Sequence, residues 1–281
     1  MAEEEELSIW DHLEELSQRL RRVLFVIVLA TVLVVVLPGD LGSALRLDFS
    51  NYRPLLSVVI EIIQDALLPE PVNLLAIGWL DMFYIFFLVA FVLGLLITMP
   101  YTVYELFKFI SPALYPHEKR SMYTFVFIVT LLFSIGALYA WFVLLPTTFN
   151  VLYGFVFQSN IVPLFAVKDF FNMVAFGILG SGIFYTFPLV IWMLVSADLI
   201  GVQTLKENRK QLFIGLIIVT AVLTPDPTPF SMLLMSIPFY ILYEITIQVL
   251  SRVKKEKRDP AIDIGIQASR EMLSRTQDPD T

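Results

Sequence analysis

The chain contains no cysteine and only two histidines, His12 and His117. The first absence excludes disulfides and thiol chemistry, and it leaves the redox compartment undetermined. The second leaves too few imidazoles for a histidine metal cluster, so no metal and no cofactor is expected. Charge is scarce as well: 16% of the 281 residues are charged, 57% are hydrophobic, and the mean hydropathy is +0.76. A soluble domain carries about 25% charged residues. No lysine, arginine, aspartate or glutamate occurs between Arg120 and Lys168, or between Asp169 and Asp198. Such gaps read as membrane, because a charge at the bilayer centre costs roughly 3 kcal/mol on insertion scales.

Further absences narrow the function. There is no His-Glu-x-x-His, no Gly-x-Ser-x-Gly, no phosphate-binding glycine loop and no intramembrane Ser/His or paired-Asp arrangement. An enzyme is therefore not expected. No internal repeat supports an inverted-repeat transporter. The net charge of −7 owes much to Glu3, Glu4, Glu5, Glu6 and a polar C-terminal tail, and it does not point to nucleic acid. The acidic start, with no small-residue cleavage pattern after the first apolar run, reads as an uncleaved N-terminus.

What is present is a series of apolar runs, which predict an all-α membrane protein. Ile9, Leu13, Leu16 and Leu20 share one face of a helix and Asp11, Glu15, Arg19 and Arg22 another, as in a helix lying at a membrane surface. Six membrane helices are expected in a single domain over 1–258, at approximately 20–38, 74–104, 121–146, 169–197, 211–224 and 229–250. An outer amphipathic helix at 54–68 packs against the bundle or the interface, and 259–281 form a polar cytoplasmic tail, partly disordered. Gly177, Gly180 and Gly182 allow close helix approach, and Pro188 predicts a kink. The last two helices are short, roughly 20 Å against a hydrocarbon core of about 30 Å. The proline-rich turn Thr224–Pro229 separates them.

Lysine and arginine set the orientation. Arg19, Arg21, Arg22, Lys108, Lys119, Arg120, Lys206, Arg209, Lys210 and the Arg252–Arg258 cluster fall on one side, and Arg46, Arg53 and Lys168 on the other. The richer side is expected to be cytoplasmic, with both termini on it.

The chemistry then concentrates in cytoplasmic loops, above all in Phe109-Ile-Ser-Pro-Ala-Leu-Tyr-Pro-His-Glu-Lys-Arg120. Taken alone, Glu15 with Arg19 is an i,i+4 surface pair worth a few tenths of a kcal/mol, and Glu118 offsets Lys119 and Arg120. Alternatively, Glu15 and Glu118 form a receptor for a basic ligand, since guanidinium pairs bidentately with carboxylate. Asp81, Asp226 and Glu244 lie near helix ends, where headgroups or water can solvate them. Asp226 is the one that short final helices would leave below the far surface.

Several motifs occur together in order: His12-Leu-Glu-Glu-Leu-Ser-Gln-Arg-Leu20, the loop Phe109–Glu118, the turn Leu223-Thr-Pro-Asp226, and Ser236-Ile-Pro-Phe-Tyr-Ile-Leu-Tyr-Glu244. In these the chain resembles the TatC family, the signal-receptor subunits of twin-arginine translocases, over about residues 8–250. The resemblance implies a concave, glove-like bundle of six helices in a prokaryotic cytoplasmic membrane. It further implies binding of twin-arginine signal peptides on folded cargo, recruitment of single-span TatA/TatB-type subunits, self-association in the translocase, and export driven by the proton-motive force. It nominates Glu15 and Glu118 as the arginine-binding carboxylates, with Leu16, Arg19, Phe109, Pro112 and Leu114 shaping the site.

Three positions depart from the family pattern. Ser17 stands where many relatives have a basic residue, Thr186 where they have a glutamate two residues before the helix-four proline, and Met232 where a glutamine is frequent. Thr186, Pro188 and Asp226 are thus the intramembrane or partner-facing candidates, with a neutral hydroxyl in place of an acid. The alternative function is a small-solute or ion transporter, for which Pro188, Thr186 and Asp226 would be the only polar or helix-breaking features near the midplane.

Overall fold

The computed structural model describes residues 9–39, 53–68, 72–110, 122–158, 164–196, 199–223 and 228–276. The nominated Pro112, Leu114, Glu118 and Asp226 lie outside the described residues. In chain order the elements are α1 (Ile9–Val36), α2 (Leu55–Leu67), β1 (Asn73–Leu75), α3 (Asp81–Ile110), α4 (Met122–Tyr139), a π turn (Ala140–Leu144), α5 (Leu145–Gln158), β2 (Leu164–Ala166), α6 (Val167–Ser196), α7 (Val202–Glu207), α8 (Arg209–Leu223) and α9 (Pro229–Thr276). Two compact units divide them, one of Met1–Thr186 with Ile217–Met235 and one of Phe187–Leu216 with Ser236–Thr281.

Among the described residues, four helices are long and apolar enough to cross a membrane: Asp81–Phe109, Tyr123–Phe157, Val167–Ser196 and Pro229–Arg252. The other two expected spans are shorter in their uncharged part. Arg19, Arg21 and Arg22 interrupt α1 near its start, and α8 has 15 residues, or about 22 Å of helix.

In the first unit, α1 packs antiparallel on α3, Arg19 meeting Glu105 at one end and Thr31 lying beside Gly94 further along. Gly94 is required at that crossing. A Cβ there would stand 2.6 Å from Thr31 Oγ1 and 3.0 Å from the Thr31 backbone nitrogen. The expected close approach of the α6 glycines is also present, since a Cβ on Gly182 would fall 2.7 Å from the Phe133 ring of α4. Nearby, Ser181 donates to the Gly136 carbonyl at 2.8 Å and Tyr139 to the Leu234 carbonyl at 2.7 Å. These bonds matter because hydrocarbon offers a polar group no alternative partner.

The α2 helix is amphipathic as its sequence predicts. Leu56, Ile60, Ile63 and Leu67 are buried at spacings of one helical turn, while Glu61 and Asp65 are exposed. Backbone bonds from Leu55 to Leu37 and from Gly39 to Arg53, both 2.8 Å, fasten its start to the end of α1.

In the first unit, three helix limits differ from the sequence expectation. Leu74 belongs to a three-residue strand, and α3 begins only at Asp81, whose carboxylate accepts the Ile77 and Gly78 amides at 3.1 and 2.6 Å and closes a turn ahead of the helix. The far end of α3 runs past Tyr104 to Ile110, carrying Glu105 and Lys108 as its last turns. Pro146, expected to end the third span, does not do so. The wider π turn before it, with Leu145 N bonded to Ala140 O, absorbs the missing proline donor, and helix continues to Gln158. Apolarity marks where hydrocarbon can lie. It does not mark where hydrogen bonding stops.

Strand β1 pairs in parallel with β2, Asn73 opposite Leu164 and Leu75 opposite Ala166. That pairing joins the approaches to α3 and α6. There Tyr84 donates to Asn172 Oδ1 at 2.7 Å and the Lys168 ammonium lies 4.9 Å from the Tyr84 ring centre.

In the second unit, α9 buries Phe239, Tyr243 and Ile247 completely. Tyr243 donates to the Leu205 carbonyl at 3.0 Å, the Phe213 and Tyr240 rings meet edge to face, and Arg209 donates to Glu244 Oε1 at 2.6 Å. Glu244 is thus paired within the protein. The helix does not end near residue 250 but runs to Thr276, so most of the expected tail is helical backbone.

Candidate functional site

The charged cluster of the first unit grows from a helical repeat. Glu15 and Arg19 are one turn apart on α1, and Tyr101, Glu105 and Phe109 are one turn apart on α3, so each set shares a face. Antiparallel packing turns the two faces toward each other. Arg19 Nε and Nη2 both donate to Glu15 Oε1, at 3.0 and 2.5 Å, and Nη1 donates to Glu105 Oε2 at 3.1 Å. Tyr101 donates its hydroxyl to Glu105 Oε1 at 3.2 Å. Each oxygen of Glu105 therefore has a partner, and the guanidinium bridges two carboxylates.

Burial grades across the cluster. The Glu105 side chain is 7% exposed, Arg19 14% and Glu15 32%. Burial pulls the Arg19 pKa down, but hydrogen bonds and charge from Glu15 and Glu105 outweigh it and hold the guanidinium above its ordinary range. Arg19 is a permanent cation between two acids. The three hydrogen-bonded side chains sum to one negative charge, and Glu15 Oε2 has no hydrogen-bond partner among the described residues. An acceptor so placed suits a cationic ligand.

Of the nominated residues, Glu15, Leu16 and Arg19 lie together on α1, Leu16 being partly exposed beside the ion pair. Phe109 is half-buried in the last turn of α3, one turn beyond Glu105. Thr186 donates to the Ile183 carbonyl at 2.6 Å within its own helix, and Pro188 is buried inside α6, whose helical run continues on both sides of it. Among the described residues, no hydrogen bond or ion pair joins Thr186 to the α1–α3 cluster.

Glu105 escaped the reading of the sequence because it follows a charge-free run and looks like the first residue of a loop. The signal that could have found it is a lone acid one turn after Tyr101, at the end of an apolar helix antiparallel to an arginine-rich one. The described residues also form a partly open cavity of about 210 Å³ between the β1–β2 pair, α5 and α6, lined by Leu68, Phe149, Phe165 and Phe170, with Asp169 as its one charged group. Its apolar lining does not suit a cationic ligand.

The chain is similar to known proteins over most of its length. Residues 11–238 match the family described as Sec-independent protein translocase protein (TatC). Among similar proteins, the Sec-independent protein translocase protein TatC of Blattabacterium sp. subsp. Periplaneta americana is 29% identical, over 91% of this chain and 99% of its own length. That of Aquifex aeolicus is 30% identical, over 89% of this chain and 98% of its own. A crystal structure of the twin arginine translocase receptor TatC in DDM superposes with a TM-score of 0.70 at 27% identity, covering 85% of this chain and 98% of the other.

Proposed function

The chain belongs to the TatC family of Sec-independent protein translocase proteins, and from that membership we propose that it is the receptor subunit of a twin-arginine translocase. As a translocase component it is a membrane protein and not an enzyme. It binds the twin-arginine signal peptides of folded cargo and recruits single-span partner subunits, which complete an export path driven by the proton-motive force. The protein crosses the cytoplasmic membrane six times as a concave bundle, both termini inside. The excess of lysine and arginine on one set of loops supports that orientation.

The observation that carries the reading is the acidic cluster on α1 and α3, in which one Glu15 carboxylate oxygen has no hydrogen-bond partner among the described residues. The segment following α3 carries Glu118, Pro112 and Leu114, to which family membership assigns a share in signal binding. Two carboxylates at a half-dry interface attract paired guanidinium groups.

The test is peptide binding to the full-length protein in lipid nanodiscs. A peptide with Arg-Arg binds, replacement of both arginines by glutamine abolishes binding, and replacement of both by lysine weakens it. A photo-crosslinker beside the arginines labels residues 109–120 in the wild type and not in Glu118→Ala. Equal binding of the Arg-Arg and Gln-Gln peptides would overturn the receptor assignment.

A further inference from the structure

The cluster assigns a role to a residue that the sequence motifs do not single out. We propose that Glu105 is a positioning residue for ligand binding at Glu15: it anchors the far side of the Arg19 guanidinium, keeping Arg19 on one oxygen of Glu15 and leaving the other as a single outward acceptor. The inference rests on the reading of Glu15 as a signal-binding carboxylate.

Three observations support it. First, Glu105 is the most buried of the three charged groups and both its oxygens are engaged, Oε1 by Tyr101 and Oε2 by Arg19. It is built as an anchor, with no acceptor left for a ligand. Second, Arg19 divides its donors, giving Nη1 to Glu105 and Nε and Nη2 to a single oxygen of Glu15. Without the pull of Glu105, the guanidinium is free to swing onto both oxygens of Glu15 in the parallel two-bond geometry that arginine and carboxylate favour. Glu15 would then have nothing to offer. Third, the charges are unequal. Two carboxylates and one guanidinium leave one negative charge, whereas Glu15 and Arg19 alone would cancel. Arg22 is exposed and makes no ion pair among the described residues; its charge reaches the Tyr101 hydroxyl, and water weakens it at the carboxylates.

A consequence for specificity follows. With Oε1 already holding two N–H groups, Glu15 keeps one oxygen for a ligand, so it cannot take a guanidinium in the parallel fork that uses both oxygens. Lysine loses less at this half-site than at a carboxylate with both oxygens free. Discrimination between the two then belongs to the other half of the site.

The experiment measures binding of a fluorescent Arg-Arg peptide, and of its Arg-Lys and Lys-Arg variants, to the nanodisc-embedded full chain at two salt concentrations. Wild type is compared with Glu15→Gln, Glu105→Gln and the charge-balanced double variant Arg19→Gln/Glu105→Gln. Glu105→Gln is expected to weaken the Arg-Arg peptide about tenfold and to flatten the salt dependence, because the cluster becomes neutral. The double variant restores the negative charge on Glu15 and frees both its oxygens. It is expected to recover affinity and salt dependence, and to discriminate against whichever single-lysine peptide the wild type tolerates. A purely structural role for Glu105 would lower thermal stability and leave the salt dependence and the lysine preference unmoved. Unchanged binding in Glu105→Gln, with Glu15→Gln weakened, would overturn the role of Glu105. Unchanged binding in Glu15→Gln as well would instead overturn the reading of Glu15. Where Glu105→Gln alone fails to fold, the double variant decides: recovery with wild-type salt dependence supports the proposal, and binding no better than Glu15→Gln overturns it.

Discussion

Arg19 and Glu105, 86 positions apart in the chain, meet at 3.1 Å with side chains 14% and 7% exposed. A pair this dry behaves unlike a surface salt bridge, because removing one member strands the other in a medium that cannot solvate it. Arg19→Met is expected to destabilise the protein by about 3–5 kcal/mol, and Arg19→Met/Glu105→Leu to recover most of that loss. Thermal unfolding of the purified variants in detergent checks both. Equal destabilisation by the single and double variants would show that the two side chains do not depend on each other.

The two arginine pairs respond differently to lysine. Arg19 places three nitrogens on two carboxylates, whereas Arg209 makes one bond, from Nη2 to Glu244 Oε1. A lysine ammonium can replace one contact but not a planar bridge. Arg209→Lys is expected to stay within about 0.5 kcal/mol of wild type and Arg19→Lys to lose about 2 kcal/mol or more, by the same unfolding measurement.

The crossing of α1 and α3 tolerates no side chain at residue 94. Gly94→Ala is expected to cost about 1–3 kcal/mol, since the new methyl meets the Thr31 backbone as well as its hydroxyl. Shortening Thr31 to alanine relieves only the hydroxyl contact. The double variant should therefore recover part of the stability and not all of it.

Alkaline titration leaves the cluster intact. The folded pKa of Arg19 is raised, so its contribution is fully present below the ordinary arginine value and is lost only as pH climbs through the higher folded value. The stability difference between wild type and Arg19→Gln should stay constant from about pH 7 to about pH 10. A difference that shrinks over that range would mean the guanidinium is not held as a cation.

Thr186, two residues before buried Pro188, spends its hydroxyl proton on the Ile183 carbonyl. As an acceptor alone it can supply a partner helix with only a weak contact, about 1 kcal/mol. Thr186→Val is expected to reduce co-purification of a single-span partner less than tenfold and to leave signal-peptide binding unchanged. Complete loss of the partner would assign Thr186 a larger role than its geometry supports.

The sequence by itself determined what depends on neighbours within a turn or on the solvent. Charge-free runs specify helices that hydrocarbon can accept, the Leu56–Leu67 stripe specifies the buried face of α2, and the spacing of Glu15 and Arg19 specifies their pairing. The motif order was sufficient to suggest the family. Tertiary structure decided what depends on distant parts of the chain. Proline at 146 reads as a helix end until a π turn is seen to absorb it, and Leu74 reads as membrane helix until Phe165 is found beside it in a strand pair. Glu105 reads as the edge of a loop until α1 is laid antiparallel on α3. Only that packing, made close by Gly94, brings an acid to the free side of Arg19 and turns a surface ion pair into a bridged cluster. The physical reason is that the strength of a charge depends on its burial, and burial is a property of the packed helices and not of the local sequence.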